Sequence, residues 1–508
     1  MVCTARYVVP WTSGETISSL QTAVEHALVA VVMRHGILRV GIAGEDEPEP
    51  VFTYLKTIDL REMIEWKQLP GSGSDGDGDG EYVRALLRST EERHDRLWED
   101  LPRRPGWKLI VHHARQDGGR DAPGRVNLDI SLAFHHAYAD GQSVYIFHRD
   151  LLRALNSTRD EGGGVAPPAE LQDHVLHLTK PPTIPPPFET LVPFTTSWGF
   201  LLRLVWWEVV WKNLAPAWAR REPRPETLPW TGGPVDPEPH RARLRLVRAT
   251  PDAVDALLTA CRARRTTLTP LLHALALASL AARLPAHEAP AFVLNTAINM
   301  RRFAKAASDL QQPFDPDNDL HCLVTSHPYL ADAAIVSALR SAAATKKARE
   351  EDADREEVLW KPAAGIGEDL RAKMATLPRN DIVGLAGMVS DWRARWAGQF
   401  GKRKERTWEC SNAGSMRASD ANLRRGDDDD DGGKQGWRIE RVLFSQGATP
   451  VGGTFALNVA GVEGRGICIV VNWQDTNVDD AVMEGLVADL QRWIDAFGAT
   501  GRFGAFDG

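Results

Sequence analysis

A chain of 508 residues and 56.1 kDa is too long for one ordinary core, so two lobes are expected. Its 43% hydrophobic and 25% charged residues are ordinary globular values, which excludes disordered and fibrous classes. Lys and Arg number 60 against 68 Asp and Glu, a net charge of −8 with scattered cations, which argues against a nucleic-acid surface and for a small-molecule or protein partner.

The cysteines Cys3, Cys261, Cys322, Cys410 and Cys468 lie far apart and are odd in number, as free thiols in a reducing compartment would be. The N-terminal segment has no basic stretch followed by an apolar run, so no secretory signal is expected and the cytosol is the default compartment.

In chain order, Thr16 or Ser18 can cap a helix with Ile17, Leu20, Val24, Leu28 and Val31 at helical spacing, and a short strand over 37–42 should follow. GSGSDGDGDG at 71–80 reads as a surface loop. Its Asp75, Asp77 and Asp79 imitate the start of a calcium-binding loop, but Leu86 stands where the bidentate Glu belongs. Alternation of Trp107, Leu109 and Val111, and then of Val126, Leu128, Ile130, Leu132 and Phe134, predicts two strands joined as a hairpin by the turn-forming residues between them. A helix with Val144, Phe147, Leu151 and Leu155 on one side comes next, with Asp140 in the capping place.

Past the prolines of 181–187, residues 194–214 are apolar and tryptophan-rich but carry Arg203, Glu208 and Lys212. A membrane span would bury those charges, so the segment reads as an amphipathic helix, packed within the protein or in peripheral contact with a membrane. Residues 222–240 have the Pro and Gly density of a linker and divide the chain into lobes 1–221 and 241–508. The second lobe should open with a strand in RARLRLVRAT and a helix from Asp252. A second helix, with Leu271, Leu275 and Leu280 on its apolar side, then precedes a buried strand in APAFVLNTAINMRRF. Charge-rich surface segments at 346–357 and 426–434, strands at 454–459 and 466–473 and a helix at 478–497 complete it.

Two heptads share one pattern: HHARQDG from His112 and HHAYADG from His135. The first runs into what reads as a hairpin tip that would leave its histidines unbraced, and no chemistry is assigned to it. In the second, a strand delivers His135 and His136, and Asp140 with Gly141 turns the chain into a helix. A general base needs its imidazole fixed in one tautomer, which a strand end and a glycine turn can supply. Alternation places His136 on the Val126–Phe134 face and His135 on the other, so the two should diverge. A two-His-plus-carboxylate metal site is therefore disfavoured and no metal is expected; a satisfied core histidine remains the plain alternative.

FHHAYADG in this setting resembles the HHxxxDG signature of the chloramphenicol acetyltransferase-like superfamily, which includes alcohol acetyltransferases, plant acyltransferases and condensation domains. RHGILRV from Arg34, GWKL from Gly106, NMRRF from Asn299 and SNAG from Ser411 resemble further segments of those enzymes in the same order. The plant enzymes' DFGWG has no copy; SQGATPVGG from Ser445 takes its place, which fits the alcohol acetyltransferase branch and leaves the CoA contacts unassigned.

The resemblance implies an α/β fold, α+β two-layer, of two similar lobes in which helices cover mixed sheets and an active-site tunnel lies between lobes. His136 would be the general base beside His135, and Asp140 and Gly141 would hold the motif, with Arg301 pairing Asp140 and Arg302 in reserve. Tyr138, Asn412, Gly414, Ser445 and Gln446 are candidates for the tunnel wall. The implied reaction moves an acyl group, acetyl first, from acyl-CoA as co-substrate to a hydroxyl of a small apolar alcohol, with no permanently bound cofactor and no covalent acyl-enzyme. A condensation-like enzyme fed by an acyl carrier protein and a non-catalytic binding protein on the same fold are the alternatives. A free-standing cytoplasmic monomer is expected.

Overall fold

The computed structural model describes residues 1–10, 16–70, 80–114, 125–160, 168–206, 228–238, 240–344, 352–422, 436–447 and 451–504. The pseudo-calcium loop, the turn holding Asp117 and Gly118, and residues 426–434 lie outside them. Two mixed sheets organise the fold. The first contains β1 (Val2–Pro10), β2 (Ile64–Leu69), β3 (Trp107–Ala114), β4 (Arg125–Phe134) and β9 (Arg438–Ser445), in the spatial order β9-β1-β4-β3-β2. The second contains β5 (Ala242–Ala249), β6 (Phe292–Asn299), β7 (Val324–Ala331), β8 (Trp408–Met416), β10 (Phe455–Val462) and β11 (Ile467–Gln474), in the order β5-β11-β10-β8-β6-β7.

The predicted pair β3 and β4 is antiparallel, with Trp107 opposite Phe134 and Val111 opposite Ile130. Between β4 and β9 runs β1, which sequence patterning did not single out. Its Arg6 looks foreign to a buried strand, yet the guanidinium is fully enclosed and holds Asp129 of β4 at 2.7 Å. A buried cation persists where a carboxylate and hydrogen bonds complete it.

Helices cover the sheets. Helix α1 (Ile17–Arg34) starts with a reciprocal cap between Thr16 and Ser19. With α3 (Gly141–Asp160) it supplies Val24, Leu28, Val32, Phe147, Leu151 and Leu155 to the first core. Between them in sequence lies α2 (Gly80–His94). The expected strand at 37–42 divides instead into a tight 3-10 turn, Gly36–Arg39, and a strand, Val40–Ala43. Gly36 lies against the backbone of Thr183 in the proline segment, an approach that leaves no room for a Cβ.

Downstream are α4 (Trp198–Val205), α5 (Pro251–Ala263), α6 (Leu268–Arg283), α7 (Ala333–Ala344), α8 (Asp352–Thr376) and α9 (Asp480–Thr500). Helix α6 does not have the single apolar side expected of it. Every residue from Pro270 to Ala281 is buried, because α5, α7, α8, α9 and the second sheet enclose it on all sides.

The described part of the expected linker is also packed rather than free. Trp230 donates its N–H to Ala291 O at 2.8 Å, Val235 donates to Lys402 O at 2.7 Å, and Thr231 is buried. Nor do the sheets follow the two halves of the chain fully, since β9, from beyond residue 241, pairs with β1. A small apolar cluster of Tyr82, Leu86, Leu244, Leu443 and Val470 joins the lobes.

Candidate active site

The chain leaves β4 at Phe134 and enters α3 at Gly141. Asp140 caps the helix: its Oδ1 accepts from the N–H of Gln142 at 3.1 Å and of Ser143 at 2.8 Å, and from the Ser143 hydroxyl at 2.9 Å. Its Oδ2 accepts from the Leu323 N–H at 3.0 Å. Across the lobes Arg301 Nη2 reaches Asp140 Oδ1 at 3.2 Å, Ser143 Oγ at 2.8 Å and His321 O at 3.0 Å, while Nη1 holds the carbonyls of Pro316 and Asp319. Burial alone would raise the Asp140 carboxyl. Arg301 and the N–H groups of Leu323 and Ser143 outweigh burial and leave it below its usual range. Asp140 is thus an ionised, buried anchor between lobes, with four hydrogen bonds to Oδ1 and one to Oδ2.

His136 stands on this anchored turn. Its Nδ1–H donates to Ala139 O at 3.1 Å, which fixes the tautomer and leaves Nε2 as the acceptor. Burial first, and the Met1 ammonium second, push its pKa below 6.5, so the ring is neutral at pH 7. Its side chain is nonetheless exposed and opens onto a space beside the turn. That space is a cavity of about 410 Å³, shared by His136 with Gln446, Trp396, Lys404, Thr454 and Trp473. Burial lowers the Lys404 ammonium to about 8. A second cavity of about 850 Å³ lies along Gln142, Tyr145 and Arg301 of the same anchor.

The strand ends at Phe134, so both histidines lie beyond its alternation, and His136 is exposed rather than continuing the buried Leu128–Phe134 face. The His135 Nε2–H donates to Glu45 at 2.9 Å and its Nδ1 accepts from the Ala137 N–H at 3.2 Å. Gly141 lies against Ala413, where a Cβ would sit 3.3 Å from that methyl, and Gln142 donates to Ala413 O at 2.6 Å.

Four of the wall candidates do not line the cavity of His136; of the five, Gln446 does. Tyr138 is buried in the first core, its hydroxyl donating to Val40 O and accepting from Gly106 N–H. Ser445 is buried at the end of β9, donating to Val2 O and bonded to His94. Gly414, at φ 78, gives its carbonyl to the Tyr145 hydroxyl. Asn412 braces that bend, accepting from Gly414 N–H at 2.8 Å and donating to Thr269. Asn412 and Gly414 therefore shape the strip on which α3 docks.

The first histidine of the look-alike heptad is braced, contrary to expectation. His112 is buried in β3, bonded to Ser89 Oγ at 2.9 Å and donating through Nδ1 to Asp129 O. Burial lowers it to about 4, so it is a neutral core histidine. Sequence patterning also missed Ser143, the hydroxyl shared by Asp140 and Arg301. Cys322, with Sγ 3.5 Å from His136 Nδ1, carried no sequence signal; burial, with the Asp140 charge, pushes its thiol up to about 12.

A sequence model of the alcohol acetyltransferase family matches residues 85–313. The chain is 29% identical over 511 residues to the probable alcohol acetyltransferase FCK4 of Fusarium pseudograminearum, covering 97% of this chain and 90% of that protein. Its fold is similar to that of the TRI3 trichothecene 15-O-acetyltransferase of Fusarium sporotrichioides, with a TM-score of 0.64 at 12% identity over 96% of this chain and 90% of the other. It is also similar to the condensation domain of the Monacolin K polyketide synthase MokA, with a TM-score of 0.51 at 13% identity over 98% and 92%.

Proposed function

We propose, from its similarity to alcohol acetyltransferases and to the fold they share with condensation domains, that this chain is an O-acyltransferase that transfers an acyl group, acetyl first, from acyl-CoA to a hydroxyl of a small apolar alcohol, with His136 as general base. The observation that carries this reading is one neutral imidazole, its tautomer set by Ala139 O, opening onto a cavity walled in part by Trp396, Phe455 and Trp473.

In the proposed reaction the acceptor hydroxyl gives its proton to His136 Nε2 as its oxygen attacks the thioester carbonyl. The tetrahedral intermediate collapses with cleavage of the C–S bond, and the imidazolium returns the proton to the leaving thiolate. The products are an ester and a free thiol. Asp140 contributes by keeping the turn rigid, since Arg301 and the helix N–H groups engage its oxygens. Cys322, held as a neutral thiol, is poorly suited to an acyl-enzyme role.

The test is thiol release and ester formation with a panel of acyl-CoAs and alcohols, followed by mass spectrometry. His136→Ala should abolish both; wild-type turnover by that variant would end the proposal. The MokA likeness favours, as a second reading, an acyl group delivered on a carrier protein. A loaded carrier run beside free acetyl-CoA separates the two donors.

A further inference from the structure

The short helix Trp392–Ala397 is capped by Asp391 and stacks Trp392 on Trp396, with ring centroids 5.7 Å apart. Both indoles remain open to solvent, at 41% and 45%, and Phe400 follows one turn later at 48%. Aromatics at a spacing of four residues ordinarily mark a buried face. Here the described fold leaves close to half of each residue's surface open. Arg393, Arg395, Lys402 and Arg403 are the exposed cations of the segment 388–403, with Asp391 half-buried as the cap; exposed Glu405 follows them, and Arg393 donates to Asp46 O of an acidic loop at 2.8 Å. Within the segment itself cations outnumber carboxylates, on a chain of net charge −8.

Helix α4 repeats the pattern, with Trp198 at 78%, Leu202 at 64% and Trp206 at 59% exposure. The N–H of Ser197, its cap, donates to Asn380 at 2.8 Å, which ties α4 to the turn leading into 388–403.

We propose that the Trp392–Phe400 face is a docking surface for an anionic membrane, and that it sets the mouth of the His136 cavity at the lipid surface. Indole and phenyl rings suit the level of the headgroups, and Lys and Arg beside them complement anionic lipid. A second copy is the poorer occupant, because a two-fold interface would oppose the four cations to themselves. The attachment is peripheral, since among the described residues no helix is long and apolar enough to cross a membrane. Trp396 also lines the cavity that holds His136, so a lipid-dissolved alcohol could enter without crossing water. The docking itself does not depend on the acyl-transfer reading; only this route for the acceptor does.

The experiment is co-sedimentation of the full chain with phosphatidylcholine vesicles, with and without phosphatidylserine. Binding should require phosphatidylserine and weaken with salt. The double variant W392A/F400A should bind on the order of tenfold or more weakly. R393E/R395E should lose the preference for the anionic vesicle. Calorimetry of each variant confirms that it folds, and light scattering reports self-association. The proposal is overturned if the folded wild type ignores anionic vesicles, if W392A/F400A binds them as well as wild type, or if the face proves to be covered by a second copy. Turnover of a water-soluble acceptor should be unchanged in W392A/F400A, so lost docking is separable from failed chemistry.

Discussion

Replacement of Arg301 by methionine tests whether the anchor under the catalytic turn is structural in the way its geometry indicates. The side chain is 7% exposed and its guanidinium makes five hydrogen bonds, three of them to the carbonyls of Pro316, Asp319 and His321. Removing one partner of a buried ion pair costs about 3–5 kcal/mol, because the other charge is left uncompensated. Asp140 keeps the N–H groups of Gln142, Ser143 and Leu323 and the Ser143 hydroxyl, which places the cost near the lower end, about 3 kcal/mol. For a lobe of roughly 200 residues melting as a unit, that is a fall in Tm of about 6–12 °C.

Scanning calorimetry of Arg301→Met beside Arg302→Met measures the difference, since Arg302 is exposed and stacked on Phe303 at 4.8 Å. The double variant Asp140→Asn with Arg301→Met should cost less than the sum of its singles, because the pair is removed together. If Arg301→Met melts with Arg302→Met, or the double variant is strictly additive, the anchor assignment is wrong.

His136→Ala should lose about two to four powers of ten in kcat/KM without a change in Tm, whereas His113→Ala should retain full turnover. Because the base acts neutral and its pKa lies below 6.5, the wild-type profile should be flat through neutral pH and fall only in acid; a rate still climbing through pH 7 would count against it. Cys322→Ala should turn over within a few-fold of wild type, and an acyl adduct on Cys322 in intact-protein mass spectra would refute direct transfer.

His112 and His148, both lowered to about 4 by burial, are neutral in the fold but protonate from 6.5 downward in the unfolded chain. Protons therefore favour unfolding between pH 6.5 and 4, by on the order of a few kcal/mol for each residue. His112→Gln should flatten that part of the curve of Tm against pH; an unchanged curve would contradict the burial argument.

Much of the fold was legible because local periodicity reports local structure. Helices α1, α3, α5 and α9 and strands β3, β4, β6, β10 and β11 lie near where apolar spacing and capping residues put them. What escaped has a common cause. Strand β1 was hidden because Arg6 breaks its apolar pattern, and only pairing with Asp129, 123 residues on, makes that arginine acceptable in a core. Helix α6 was read as one-sided because its enclosure depends on four other helices. Gln446 shares the cavity of His136, while Ser445, one residue earlier, turns into the end of β9; strand alternation at a sheet edge decides between neighbours.

The two histidine heptads show the same division. By itself the sequence determined that a strand, a tight turn and a capped helix follow one another at His135–Gly141, because those preferences are local. It could not determine that His112, with the same spacing, points into a sheet interior against Ser89 while His136 faces a cavity. Nor could spacing choose Arg301, 161 residues away, as the group that holds Asp140. Those outcomes depend on which surfaces of the two lobes meet. Long-range burial and charge pairing set that meeting, and no local pattern encodes it.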